Sequence, residues 1–273
     1  MSSGSSESVP LASVFKLYVL VAVVTAIESG SLAWDDTLTV DDSNRSLPSG
    51  ELQSEPNGTQ VSVLEAATKM IAVSDNTATD MLMQRIGRER VEAAVVEVGH
   101  HEPSEIMPVL MTRELFALAW GDRPDLTERW SRGDEAERRS VLDELAEVPF
   151  TVAVDDVTAG VVWPEGLDWF ASADDVTRVH EHLFAMGARH SEVRSILSEN
   201  PGLGIAFDHD SWPFIAFKGG SSAGVLTLSW HAESKDGALL TVVVLASSDD
   251  DVALMQVQND LGKLAEDIFR LSS

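Results

Sequence analysis

Late in the chain the residue pattern changes from helical to strand-like, and this change restricts the fold most. Pro213 to Lys218, Val225 to Ala232 and Leu239 to Ala246 are short runs rich in Val, Leu, Phe and Thr. Asp236-Gly237 marks a hairpin turn between the last two, so the strands are antiparallel. Upstream, apolar residues recur at helical spacing instead, as in Val63, Leu64, Ala67, Met70 and Ile71. The same reading predicts helices over 13–29, 61–73, 76–86, 89–98, 112–120, 133–147, 173–186 and 191–198, and a closing amphipathic helix over 252–271. Residues 1–9 read as loose, 31–60 as turn-rich, 99–108 as a loop and 148–170 as irregular. A helical middle, a terminal antiparallel sheet and helices that can cover that sheet give an α+β architecture.

Charge narrows the partners. Asp and Glu number 45 against 19 Lys and Arg, a net charge of −26. Such a chain repels phosphate at long range, so nucleic acid is not expected as a partner. A solvated acidic surface and adaptation to high salt both account for the balance. The absence of cysteine excludes disulfides, thiolate zinc sites and a cysteine nucleophile. Asn57-Gly58-Thr59 fits a glycosylation pattern and is read as chance.

Leu17 to Ile27 is an apolar run that follows Lys16. It is too short to span a bilayer, and the acidic Glu7 ahead of it makes a poor leader. A buried helix ending at a left-handed Gly30 is the favoured reading. A cytoplasmic protein follows from the chain as written, and a secreted or periplasmic one if the native N-terminus is longer. No membrane association is expected.

Three short stretches carry possible chemistry. In "SVFK", Ser13 and Lys16 share one helical face, and a lysine whose pKa is depressed by burial can take a serine proton. Alternatively, Ser13 caps the helix and Lys16 snorkels. In "VSDN", Ser74-Asp75-Asn76 lies between two helices, where either Ser74 or Asp75 could be an N-cap. In "FKGGSS", Lys218 ends a strand and could hold a substrate carboxylate, while Gly219 and Gly220 let backbone approach a ligand. A glycine-rich hairpin turn is the competing reading. His180 and His182 do not share a helical face well and read as surface residues, not metal ligands. Trp163, Trp169 and Trp212 read as core residues that could line a pocket.

In this order the three stretches resemble the Ser-x-x-Lys, Ser-Asp-Asn and Lys-Thr-Gly motifs of class A β-lactamases and penicillin-binding proteins. The resemblance covers roughly 10–99 and 214–270. It implies one domain over 1–273, an antiparallel sheet flanked by helices plus an all-helical lobe, with the helical lobe at about 31–212 and the sheet lobe at about 10–30 and 213–273. It implies Ser13 as the acylated nucleophile and Lys16 as its base or proton relay. It implies Ser74 as the serine that passes a proton to the leaving nitrogen, and Asn76 as the residue that positions Lys16 and the substrate amide. It implies Lys218 as the substrate carboxylate's partner and the N–H groups of Ser13 and Ser221 as an oxyanion hole. Gly220, Ser221 and Ser222 join Asn76 and Lys218 as substrate-binding candidates. A small-molecule substrate, no cofactor and no metal are implied.

The chain departs from the family in three places. Gly219 replaces the Lys-Thr-Gly threonine, with Ser221 or Ser222 as substitutes for its hydroxyl. Glu102-Pro103 resembles the start of the loop that holds the deacylating water, which makes Glu102 the candidate general base. The position expected to hold that loop's Asn is Ile106. Only 12 residues precede Ser13, where the family has strands and a helix, so either the native gene is expected to start upstream or a partner to cover the edge left open. The strand Leu239 to Ala246 is therefore expected to have an open edge through which the protein self-associates. A serine hydrolase or esterase, a sensor acylated without turnover, and an inactive scaffold remain as readings.

Overall fold

The computed structural model describes residues 6–157, 160–202, 207–249 and 251–272. Residues 1–5 of the loose N-terminal stretch lie outside the described residues.

A helix that is apolar on every side has to be surrounded, and α1 (Lys16–Glu28) is. Its residues from Lys16 to Val24 are all buried. Ahead of it run β1 (Val9–Pro10) and a 3-10 turn over Ala12–Phe15. A hairpin of β2 (Thr37–Thr39) and β3 (Gln60–Ser62) follows. This hairpin lies in the stretch read as turns, because three-residue strands leave almost no period to detect. Next come α2 (Val63–Ala72), α3 (Asn76–Ile86), α4 (Arg88–Glu97) and α5 (Thr112–Trp120), at their expected places. The helix α6 (Pro124–Arg132) was not expected from the sequence, although Pro124 at its first turn is a start signal. After α7 (Glu135–Ala146) the short β4 (Phe170–Ala171) pairs with β1 across the chain.

The helices α8 (Ala173–Gly187) and α9 (Ser191–Ser198) then lead into the sheet. Its strands are β5 (Phe214–Ser222), β6 (Val225–Glu233) and β7 (Leu239–Ser247), followed by α10 (Asp251–Ser272). The order β5-β6-β7 is antiparallel throughout and leaves β7 at one end of the sheet. Side chains alternate across it. Phe214 and Ala216 face the core built on α1, whereas Ile215, Phe217, Trp230 and Val242 pack against Ala265 and Phe269 of α10. Both α8 and α9, assigned by sequence to the helical lobe, pack on the sheet. Among the described residues no helix is long and apolar enough to cross a membrane.

Candidate active site

The turn that carries Ser13 is held from three sides. Thr227 of β6 donates its hydroxyl to Leu11 O at 2.8 Å. Asp168 accepts the N–H groups of Leu11 and Ala12 at 3.1 and 2.7 Å, and that of Trp169 at 2.7 Å. The Trp169 ring stacks on Phe15 with centroids 3.7 Å apart. Clamped in this way, Ala12 adopts φ 44°, a left-handed conformation unusual for a residue with a side chain. Gly220 of β5 lies directly against this turn. A Cβ there would meet Leu11 O and Thr227 Oγ1 at 2.6 Å and Ser13 N at 2.7 Å. The glycine is therefore what lets the strand touch the Ser13 backbone.

Ser74-Asp75-Asn76 forms the opposite wall. Asp75 is the N-cap of α3 and accepts Ala78 N–H at 2.9 Å. Its other oxygen takes the N–H groups of Glu51 and Leu52 at 2.6 and 2.9 Å, so the 49–52 loop is tied to the same cap. Ser74 itself is not the cap: it sits at φ 58°, with its carbonyl accepting from Ser49 Oγ at 2.6 Å.

The two lysines converge on Ser74. Lys16 Nζ donates to Asn76 Oδ1 at 2.6 Å, to Ser74 O at 2.6 Å and to Ser74 Oγ at 3.1 Å. Lys218 Nζ donates to the same Ser74 Oγ at 3.0 Å and to Gly219 O at 2.6 Å. Asn76 is engaged at both ends, because its Nδ2 donates to Leu47 O at 3.1 Å. Burial drives the Lys16 pKa well below the ordinary lysine value, and the neighbouring Lys218 charge adds to the fall. Its place at the positive end of α1 acts in the same sense. Burial lowers Lys218 to about 7. Burial raises the Asp168 carboxyl to about 7, against the pull of its backbone donors.

These groups border a cavity of about 690 Å³. Ser13, Ser74, Asn76, Lys218, Gly220, Ser221 and Ser222 all line it, whereas Lys16 lies beneath. Glu102 does not line it. It lies exposed on the 99–108 loop, where Oε1 accepts Ser104 Oγ at 2.6 Å. The expectation that Glu102 faces the reacting centre is corrected: His101 N–H and Nδ1 bond Asp175 at 2.8 and 2.6 Å and fix the loop onto α8, away from the cavity. The glycine-rich turn reading of 219–220 is also corrected, since β5 continues through Ser222.

One further correction concerns a ring. His180 is buried, not superficial. Its Nε2 meets Ser229 Oγ at 2.9 Å, and Ser229 Oγ donates to Lys218 O at 2.8 Å. Trp169 lines the cavity and donates its Nε1 to Leu110 O at 3.0 Å, whereas Trp212 packs edge-on against Phe269. The donor atoms of His100, His101 and Asp175 gather within 4.8 Å of one another. They are already committed: His100 Nε2 to Phe170 O, His101 Nδ1 to Asp175, and Asp175 to Ser172 and Arg178 as well. That cluster is a loop anchor.

Sequence reasoning missed Asp168, Thr227 and Ser49. Their partners are 157, 216 and 25 residues away, so no local spacing reveals them. In chemical terms, a lysine held proton-poor can accept a hydroxyl proton, and a serine bridging two lysines can relay one.

The model of the beta-lactamase enzyme family matches residues 1–139. A beta-lactamase from Sphaerobacter thermophilus superposes with a TM-score of 0.66 at 16% identity, over 99% of this chain and 87% of that one. The chromosome-encoded beta-lactamase of Vibrio parahaemolyticus gives 0.65 at 14%, over 100% and 88%. A mutant of PBP-A, solved as its acyl-enzyme with penicillin G, gives 0.63 at 17%, over 99% and 85%. No curated protein matches in sequence. With half of its length matched by the family model and its fold shared throughout, the chain belongs to the beta-lactamase enzyme family.

Proposed function

We propose that the protein is a serine hydrolase that forms an acyl-enzyme through Ser13, acting on β-lactam-like amides or esters. The observation that carries this reading is the pair of buried lysines meeting at Ser74 Oγ, one of them a single helical turn from Ser13. Neutral Lys16 takes the Ser13 proton as Oγ bonds to the substrate carbonyl carbon. The N–H groups of Ser13 and Ser221 receive the developing oxyanion. Ser74 then delivers a proton to the leaving nitrogen or oxygen as its bond to carbon breaks, and is reprotonated from the lysines. Water subsequently cleaves the acyl–Ser13 ester to an acid and free serine.

A second reading concerns that last step. With Glu102 outside the cavity, deacylation lacks the base assigned to it, which favours a long-lived acyl-enzyme. Intact mass after incubation with a penicillin and with an activated ester tests both readings, with Ser13→Ala as control. An adduct or turnover that is lost in Ser13→Ala is the expected result, and a persistent adduct selects the second reading. Labelling that survives the substitution, or no reaction at all, overturns the proposal and favours an inactive scaffold.

A further inference from the structure

The cavity's polar and apolar groups are unevenly distributed. Among the described residues that line it, Lys218 is the one cation and Asp168 the one carboxylate. Both are already engaged. Lys218 Nζ already spends donors on Ser74 Oγ and Gly219 O and is 2% exposed. Asp168 is consumed by the N–H groups of Leu11, Ala12 and Trp169 and by the Ser222 hydroxyl. No arginine is among the described residues that line the cavity. At position 219, where the family motif has a hydroxyl, the space is taken by a neighbouring side chain. A Cβ on Gly219 would lie 2.9 Å from Phe217 Cζ and 3.4 Å from Phe217 Cε1, so an aromatic edge occupies the direction a threonine would take.

Apart from the polar Ser49, Thr112 and Asn200, the remaining walls are largely apolar. Leu115, Phe116 and Trp120 come from α5, Val162 and Leu167 from the following irregular stretch, and Leu228 from β6. At about 690 Å³ the cavity is in the range that encloses most of a drug-sized ligand. Bringing a carboxylate into such a site costs its hydration, and only one proton-poor lysine stands ready to compensate. The overall charge of −26 adds long-range repulsion of anions.

We infer that the site selects uncharged acyl donors with an apolar acyl group, esters above all, over carboxylate-bearing β-lactams. The inference rests on the proposed acylation of Ser13. In the reaction Ser13 Oγ bonds to the ester carbonyl carbon and its proton passes to Lys16. The carbonyl–alkoxy bond breaks, and the alkoxide leaves as an alcohol with a proton from Ser74. One water then yields the free acid. No oxidant, metal or co-reactant is required.

The test uses the whole chain and its Ser13→Ala variant with p-nitrophenyl acetate, butyrate and octanoate, and with benzylpenicillin and nitrocefin, at low and high salt. Acylation rates come from the burst and from intact mass. We expect Ser13-dependent ester acylation whose efficiency rises at least about tenfold from acetate to octanoate, because the longer chain fills an apolar wall. Penicillin acylation should be at least about 100-fold slower, and high salt should not close that gap. Penicillin acylation as fast as that of the octanoate, or a gap that salt abolishes, overturns the inference while leaving the serine hydrolase reading intact. Ester cleavage indifferent to chain length overturns it too. Loss of all Ser13-dependent reaction ends both. A Phe217→Ala/Gly219→Thr double variant provides the converse: it should gain penicillin acylation relative to octanoate. No change in that ratio argues against the blocked 219 position as a determinant.

Discussion

Lys16 and Lys218 reach one hydroxyl from opposite walls of the cavity, and the two walls hold their lysines differently. On the helical wall Lys16 finds three acceptors, and Asp75 and Asp80 lie close enough to pull its pKa back up. On the strand wall Lys218 has two acceptors, one of them the carbonyl of the next residue, and burial alone sets its pKa. The helical lysine is placed by a side-chain network and the strand lysine by a backbone. Precision on one side thus depends on partners such as Asn76, and on the other on how closely β5 can approach.

The largest test of that difference removes each lysine in turn. Lys16→Ala should lower acylation of Ser13 by about 10³–10⁴-fold, the scale of a lost general base, whereas Lys218→Ala should cost about 10²-fold. Rapid-mix mass spectrometry of the acyl-enzyme measures both, and equal losses would erase the distinction between the walls. Backbone approach is tested next. Gly220→Ala places a Cβ against Leu11 O and Ser13 N, so it should cost about 1–3 kcal/mol in denaturant unfolding as well as acylation. Gly219→Ala presses on the far end of the Phe217 ring, a side chain that can turn aside, and touches Thr227 O only at ordinary contact distance, so it should unfold nearer to wild type.

Proton linkage gives a smaller effect. Unfolded lysines hold their protons to about pH 10.4. Folded Lys218 releases its proton at about 7, so above that pH the unfolded state binds more protons, and stability should rise with pH between about 7 and 10. Lys16 adds to the same slope. Urea unfolding across that window should show the rise, and Lys218→Met should reduce it; a flat wild-type profile would mean that the strand lysine keeps its charge. The smallest effect concerns the far end of the sheet. We propose that the edge of β7, nine residues without a charge or a proline, pairs with its counterpart on a second copy. Light scattering should then show salt-dependent dimers, because screening weakens the mutual repulsion of two acidic chains. A monomer at both low and high salt rules this out.

How far the sequence could be read follows from the range of each interaction. The helices α3, α5 and α9 have their expected bounds, because their start signals and apolar spacing are local. The Ser13–Lys16 and Ser74–Asn76 pairs stood out by their resemblance, in this order, to family motifs, since each spacing alone also fits a helix cap. Glu102 was misplaced because the direction of its loop is decided by His101 and Asp175, which are 74 residues apart. Asp168 escaped notice because a lone aspartate before a tryptophan has no distinctive pattern. Only the fold brings it to the N–H groups of Leu11 and Ala12. His180 looked superficial because its partner, Ser229, arrives from the sheet, 49 residues later.

The apolar walls have a consequence for descent. The residues of α5 and the 162–167 stretch contribute none of the hydrogen bonds that hold Lys16 or Lys218. They border the cavity without belonging to its proton circuit. Point changes there can alter the shape and polarity of the cavity while the hydrogen bonds that join Lys16, Ser74 and Lys218 stay intact. In this architecture the lining and the lysine–serine network are separately mutable traits, and a lineage can diversify the first while inheriting the second unchanged.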